Sequence, residues 1–282
     1  MTTLKFDESE TAKLLKGIDI PPQPKVLQVV MLEQQKRDPD IRKISAAVEK
    51  DVGLSAAMLR AANSPAFGLR KKVTSISQAV MLLGLHNSIS LITALSLRVA
   101  MTAKSQAKFS RFWDTAADTA LACSALAQRF KIMPADQAYI IGLFHDCGIP
   151  LMMQRFENYA EKLAKCDPNA QELIVDLEEQ HFNTNHAVIG YLVARSWYLS
   201  EEIRLVILNH HDEELLANPS GGSLAKQVAM LTLASHICYS DHWESEDTFW
   251  LRVGENVMCI FGLSEEGLKD LDDDIKEILS AS

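Results

Sequence analysis

The residues of this chain best able to do chemistry are a set of histidines and one aspartate. The segment Gly142-Leu143-Phe144-His145-Asp146-Cys147-Gly148 ends an apolar helical stretch in adjacent His and Asp, followed by a glycine of the kind that closes helices. Adjacent side chains diverge by about 100° on an ideal helix. At a terminal turn they can still converge, or the Asp can bridge two ions. A neutral imidazole with a carboxylate suits Mn, Fe, Ni, Zn or Mg, with water completing the shell. Alone, the dipeptide is a weak signal. His186 adds to it, because with Gly190, Val193, Ala194 and Trp197 it forms an i, i+4, i+7, i+8, i+11 set that points inward beside a small residue. His210 ends the apolar stripe of Ile203, Val206 and Ile207, and His211 follows it. A single inward histidine is usually a core residue bonded to a carbonyl. Inward histidines together with His145-Asp146 are more simply explained by a shared polar cavity between helices.

Helices must position these groups. Seven of the eight histidines follow residue 140; His86 is the exception. Helical periodicity runs through most of the chain and sustained period-two alternation is absent, so the expected fold is all-α. Pro21-Pro22-Gln23-Pro24 opens a pattern with Val26, Leu27, Val30 and Met31 on one stripe. Asp38-Pro39 reads as a cap followed by a proline at the first helical position, leading into Ile41, Ile44, Ala47 and Val48. Gly53 is expected to break that helix, and the next, around Leu54–Ala62, stops at Asn63-Ser64-Pro65. Ser75 and Gln78 have capping-box spacing ahead of Ile76–Leu85, punctuated by Gly84. Further helices are predicted over roughly 87–102, 109–131, 135–146, 170–181, 184–198, 201–211, 224–240 and 264–280. The polar stretch Thr102–Ser110 suggests a boundary near residue 105. The expected organisation is an N-terminal helical part (1–105), a helical bundle (106–245) and an acidic amphipathic segment (246–282). In the last, Leu268, Leu271, Ile275, Ile278 and Leu279 form a stripe expected to dock on the body.

Composition narrows the function classes. With 48% hydrophobic and 23% charged residues in 282, the chain holds enough apolar surface to fold, which excludes general disorder. The net charge of −9 argues against a nucleic-acid partner, although residues 264–282 concentrate seven acids against Lys269 and Lys276. Five cysteines without C-x-x-C spacing support neither a zinc ribbon nor a disulfide framework and fit a reduced cytosol. The N-terminus has no apolar signal core and no run approaches the roughly 20 residues that span a bilayer, so a soluble cytoplasmic protein is expected. Arg70-Lys71-Lys72 reads as a solvated turn, and His181, His236 and His242 as ordinary residues. Phosphate-loop, dinucleotide and nucleophile-elbow motifs are absent.

His145-Asp146 followed by His186 and His210-His211 resembles the HD superfamily of metal-dependent phosphohydrolases. The upstream half is similar to its HDOD subgroup: Leu27 to Leu32 after the Pro-rich start, Asp38-Pro39, Glu49-x-Asp51, Leu59-Arg60-Ala61-Ala62-Asn63-Ser64, Phe67-Gly68 and Ser75 to Gly84. The resemblance covers roughly residues 18–215. It implies a multi-helical HD-like bundle with an N-terminal helical subdomain, a bacterial origin and a link to signal transduction, with HD-GYP cyclic-di-GMP phosphodiesterases among the relatives. It also implies His145, Asp146, His186 and His210 as metal ligands, and Thr115, His211, Ser235 and Ile149 as lining of the pocket. Three matched positions depart from the hydrolase pattern: Thr115 stands where the first histidine ligand is expected, Ser235 where a distal aspartate is, and Ile149 where a Lys or Arg is. Thr115 shares an inward stripe with Phe112, Thr119 and Ala122.

A working centre needs enough ligands to make water reactive near neutral pH. The expectation is therefore a signalling or regulatory protein that acts without catalysis, through a protein partner or a nucleotide ligand. A divalent ion (Mn, Fe, Ni, Zn or Mg) would be held weakly or not at all. The alternative is a metal-dependent phosphohydrolase acting on a nucleotide, a phosphomonoester or a cyclic dinucleotide. A third reading is a module that binds a nucleotide without turnover.

Overall fold

The structure, a computed structural model, describes residues 24–67, 72–102, 110–164, 173–218, 221–242 and 247–281, with Gly17, Ile18, Ile20 and Pro22. Arg70, Lys71, Cys166, the boundary expected near residue 105 and the side chains of His86 and His242 lie outside the described residues. All regular elements among the described residues are helices. None of these is long and apolar enough to cross a membrane. The chain divides into two compact units, one of residues 21–143 with 213–282, the other of residues 1–20 with 144–212.

The larger unit begins with α1 (Lys25–Gln34), α2 (Ile41–Glu49), α3 (Val52–Asn63), α4 (Ile76–Leu83) and α5 (Leu85–Thr102). Leu27 and Val30 of α1, Ile44 and Val48 of α2 and Met58 of α3 are fully buried, as their periodicity requires. Two boundaries differ from the sequence reading. Asp40, rather than Asp38, caps α2 through the Arg42 amide at 3.0 Å, leaving Pro39 ahead of the helix. The break after α2 is made by Asp51, whose carboxylate accepts from the Leu54 amide at 3.0 Å, and Gly53 sits inside the first turn of α3. A side chain that satisfies an orphan amide outweighs glycine's low helix propensity there. The Ser75 hydroxyl accepts from the Gln78 amide at 3.2 Å, while the Gln78 side chain reaches back to the Thr74 amide at 3.0 Å. Asn63 clamps the two ends of a loop: its amide accepts from Val73 N at 2.6 Å and donates to Val73 O at 2.8 Å.

The unit is completed by α6 (Ser110–Phe130), α7 (Ala135–Phe144), α13 (Glu213–Leu216), α14 (Gly222–His242), α15 (Thr248–Phe261) and α16 (Glu265–Ser280). Both α14 and α16 pack on α6. Gly142 lets α7 approach α6 closely, since a Cβ there would lie 2.6 Å from Ala120 Cα. The acidic C-terminal helix docks as its stripe implied: Leu271 and Ile275 are buried and Asp274 pairs with Arg129 at 2.8 Å. Each of those apolar side chains contributes about 1.5–3 kcal/mol. Sequence periodicity did not anticipate α15, which Asp247 caps through the Trp250 amide at 3.0 Å.

The second unit holds α8 (Gly148–Arg155), α9 (Tyr159–Ala164), α10 (Ile174–Phe182), α11 (His186–Ser196) and α12 (Glu201–Asn209). Helix α11 is central, packing on α8, α10 and α12, with Ile189, Leu192, Val193 and Ala194 buried. Gly190 allows α12 to approach: a Cβ there would meet Ile207 Cγ2 at 3.0 Å. Gly148 does not close a helix, contrary to its sequence reading. It opens α8, with Pro150 tolerated in the first turn. Its role is contact, because a Cβ at 148 would stand 2.1 Å from the carbonyl oxygen of His186.

Gly148→Ala is therefore expected to destabilise the protein by at least about 1–3 kcal/mol. Gly267→Ala in the first turn of α16, where a Cβ comes no closer than 3.4 Å to Ser264 Oγ, should be neutral or stabilising by up to about 1 kcal/mol. Urea denaturation of both variants checks this; a wild-type midpoint for Gly148→Ala would remove the contact argument.

Candidate metal centre

Three local devices aim the histidines and Asp146 at one point. The turn after α7 carries His145 and Asp146, held by Cys147 N to Phe144 O at 3.0 Å and Ile149 N to Asp146 O at 2.9 Å. Asn185 caps α11 through the Val188 amide at 2.9 Å, which makes His186 the first residue of that helix. His210 sits at the C-terminal end of α12, a helix started by the Ser200 hydroxyl.

One ligand atom from each of Asp146, His186, His210 and His211 lies within 4.8 Å of the others. Asp146 Oδ1 is 3.3 Å from His186 Nε2 and 3.2 Å from His210 Nε2. His186 Nε2 is in turn 3.2 Å from both His210 Nε2 and His211 Nε2. His145 lies beside the group, its Nε2 3.1 Å from Asp146 Oδ2. His186 is fully buried, His210 nearly so, and Asp146 is partly open to solvent.

The outer ring nitrogens fix the inner ones. His210 Nδ1 is 2.6 Å from the Ile207 carbonyl and His186 Nδ1 is 2.7 Å from a Glu178 carboxylate oxygen. Both partners only accept, so both Nδ1 atoms carry protons. In the neutral rings the two Nε2 lone pairs then face each other and Asp146. Such a set of acceptors calls for a cation, either a proton or a metal ion. Ligands about 2.1 Å from one tetrahedral ion stand roughly 3.4 Å apart, close to the four separations of 3.2–3.3 Å given above, with the whole set within 4.8 Å. The donor set therefore fits a divalent ion, and its imidazoles favour a transition metal over Mg.

Charge follows the same geometry. Burial opposes a charged Asp146, yet the His145 charge and hydrogen bonds from His145, His186 and His210 hold its carboxyl well below 3.8. Burial also opposes a charged His186, but the Glu178 charge and hydrogen bonding to Asp146 and Glu178 raise it to about 10. Burial lowers His210. Burial and the neighbouring charges of His210 and His186 push His211 well below 6.5.

Thr115 and Ser235 belong to the larger unit and are half-buried on α6 and α14; the Thr115 hydroxyl donates to Arg111 O at 3.1 Å. Ile149 follows Gly148 in α8 and is half-buried. His181 is exposed, and His236 stacks on Trp250 with ring centroids 4.0 Å apart. The sequence reading missed Glu178, a fully buried acid, and Tyr159, whose hydroxyl donates to it. A signal for Glu178 existed: with Ile174 and Leu177 it forms an i, i+3, i+4 set, and an acid on an apolar stripe needs a partner.

The profile of the HDOD domain family matches residues 20–213. The chain belongs to the HDOD family. Among solved structures, an HDOD domain protein of unknown function from Geobacter sulfurreducens is similar over 96% of this chain and 95% of its own, with a TM-score of 0.67 and 23% identity. A protein of Shewanella amazonensis SB2B, described as a candidate metal-dependent phosphohydrolase, is similar over 96% of this chain and 98% of its own, with a TM-score of 0.66 and 20% identity. At those identities the likeness establishes the helical HDOD fold. An uncharacterised protein of Treponema pallidum (strain Nichols) is 27% identical over 213 residues, 73% of this chain and 41% of that protein. This HDOD chain thus spans about two fifths of the length of that curated relative.

The shifted histidines set a pH profile for metal-free protein. With His210 and His211 lowered, the unfolded chain binds more protons in acid, so stability climbs as pH rises to about 6.5. His186 acts in the opposite sense: its contribution is complete below about 6.5 and is lost as pH rises from there towards about 10. Urea denaturation after chelation should show maximal stability near neutral pH, with a flatter alkaline limb in His186→Asn. An alkaline limb identical in that variant would contradict the assignment.

Proposed function

We propose that this HDOD protein is a regulatory protein that holds one divalent metal ion in its HD-type pocket and signals by binding rather than by turnover. The observation that carries this reading is the convergence of Asp146, His186, His210 and His211 within one compact unit. His186 and His210 would present neutral Nε2 atoms, Asp146 an anionic oxygen, and His211 a fourth donor. His145, bonded to the second oxygen of Asp146, would keep that carboxylate oriented. A divalent ion held there supplies Lewis-acid polarisation of a phosphoryl oxygen, so the proposed ligand is a nucleotide or another phosphate ester, and the proposed partner is a signalling protein in the cytoplasm.

Three features support binding over hydrolysis. The Thr115 hydroxyl is engaged by its own helix, Ser235 supplies no carboxylate, and Ile149 supplies no cation for a phosphate. The second reading is a phosphohydrolase acting on a nucleotide, phosphomonoester or cyclic dinucleotide, and it is favoured by the number of donors that do converge.

The test is elemental analysis of protein purified without chelator, with assays of a generic phosphodiester and phosphomonoester in added Mn, Ni or Mg. The expected result is about one transition-metal ion per chain, lost in Asp146→Asn and His186→Ala, and no hydrolysis above background. Hydrolysis that disappears in His145→Ala would transfer the assignment to the second reading. Metal-free wild type after loading attempts would reject both.

A further inference from the structure

Behind His186, on the side away from Asp146, lies a polar assembly that the proposed metal chemistry does not use directly. Glu178 is completely buried, and its carboxylate takes three donors. One oxygen accepts from the His186 backbone amide at 2.9 Å and from His186 Nδ1 at 2.7 Å. The other accepts from the Tyr159 hydroxyl. The amide contact places the carboxylate at the N-terminus of α11, where the helix dipole favours negative charge. Tyr159 is itself fixed. Its ring stacks on Phe182 with centroids 5.5 Å apart, and Phe182 stacks on Phe156 at 4.5 Å. Burial and the Glu178 charge drive the Tyr159 phenol far upward, so it stays protonated and remains a donor.

We propose that Glu178, anchored by Tyr159, is the positioning residue of this pocket: it fixes the ring of His186 with Nε2 towards Asp146 and supplies the second negative charge that one divalent ion needs. The proposal rests on the metal reading above and deepens it. A buried carboxylate is retained only where it is paired and hydrogen-bonded, and here every partner is either His186 or the tyrosine that braces it. Glu178 and Asp146 stand on opposite sides of the same imidazole, so their two charges balance one divalent ion with neutral histidines between them. Partners of this kind raise ligand basicity, and losing them weakens metal binding by about 10- to 100-fold.

The experiment uses the chelator-stripped 282-residue chain and titrates Zn²⁺ and Mn²⁺ against a competing chelator. Glu178→Gln keeps the shape and removes the charge; Tyr159→Phe keeps the stacked ring and removes only the hydroxyl; His181→Ala, an exposed change on the same helix, is the control. Zn²⁺ affinity should fall about 10- to 100-fold in Glu178→Gln and about five-fold in Tyr159→Phe, with His181→Ala unchanged. A separate readout needs no metal. In ¹⁵N-histidine-labelled protein the His186 Nδ1 proton should resonate far downfield and exchange slowly, and this signal should be lost in Glu178→Gln. Wild-type affinity in both variants overturns the proposal. If Glu178→Gln does not fold, Tyr159→Phe still decides it. If wild type takes up neither ion, the metal reading fails, and the downfield proton, present or absent, separately supports or overturns the positioning role.

Discussion

Lone pairs of nitrogen and oxygen cannot crowd to within 3.2–3.3 Å of one another in a buried pocket without a positive charge among them. The smaller unit of this protein is organised around that constraint. Its histidines are locked from the outside, His186 by a carboxylate and His210 by a helix-end carbonyl, so their free nitrogens have one direction left. A proton on His186, raised to about 10, can meet the need in metal-free protein, and a transition-metal ion can meet it with several donors at once. The requirement for a cation is thus written into hydrogen bonds that lie outside the pocket.

Helix ends do much of this work. The first residue of α11 and the first residue past α12 both carry imidazoles, and each helix lends its own terminal group to hold one: an amide that fixes Glu178 at α11, a carbonyl that fixes His210 at α12. Termini are the only parts of a helix with unpaired backbone groups to offer. Glycine sets the separation. Gly148 brings α8 against the His186 carbonyl and Gly190 admits Ile207 from α12, so the helices bearing the histidines approach closely enough for the rings to meet. A centre assembled this way gains rigidity from packing rather than from the ion it could hold.

Family membership and the pocket point in compatible directions without being the same statement. HDOD membership accounts for the helical fold. What the pocket can do depends on the neighbours of its histidines and Asp146. Thr115 and Ser235, at which the resemblance to the hydrolases expects further ligands, are half-buried on helices of the larger unit, and the Thr115 hydroxyl donates to its own helix. Glu178 sets a carboxylate against the outer ring nitrogen of His186, outside the cluster of donor atoms.

Apolar periodicity was enough, by itself, to determine the all-α class and the inward faces of α11, α12 and α16, because helical spacing commits a side chain to one side of its own helix. The inward turn of His186 and His210 was legible for the same reason. Caps were read less well: Asp40 and Asp51 displaced the expected Asp38 and Gly53, since neighbouring acids compete and local geometry chooses between them. Helices α8, α9, α13 and α15 escaped notice, α8 because a glycine and a proline open it. Only the tertiary structure decided that Gly148 is a contact glycine, that His211 joins the cluster, and that Glu178 and Tyr159 brace His186. Those facts depend on distances between segments eight to sixty-five residues apart in the chain (Glu178 to His186, Asp146 to His211), and such distances are set by how helices pack, which no single helix's pattern contains.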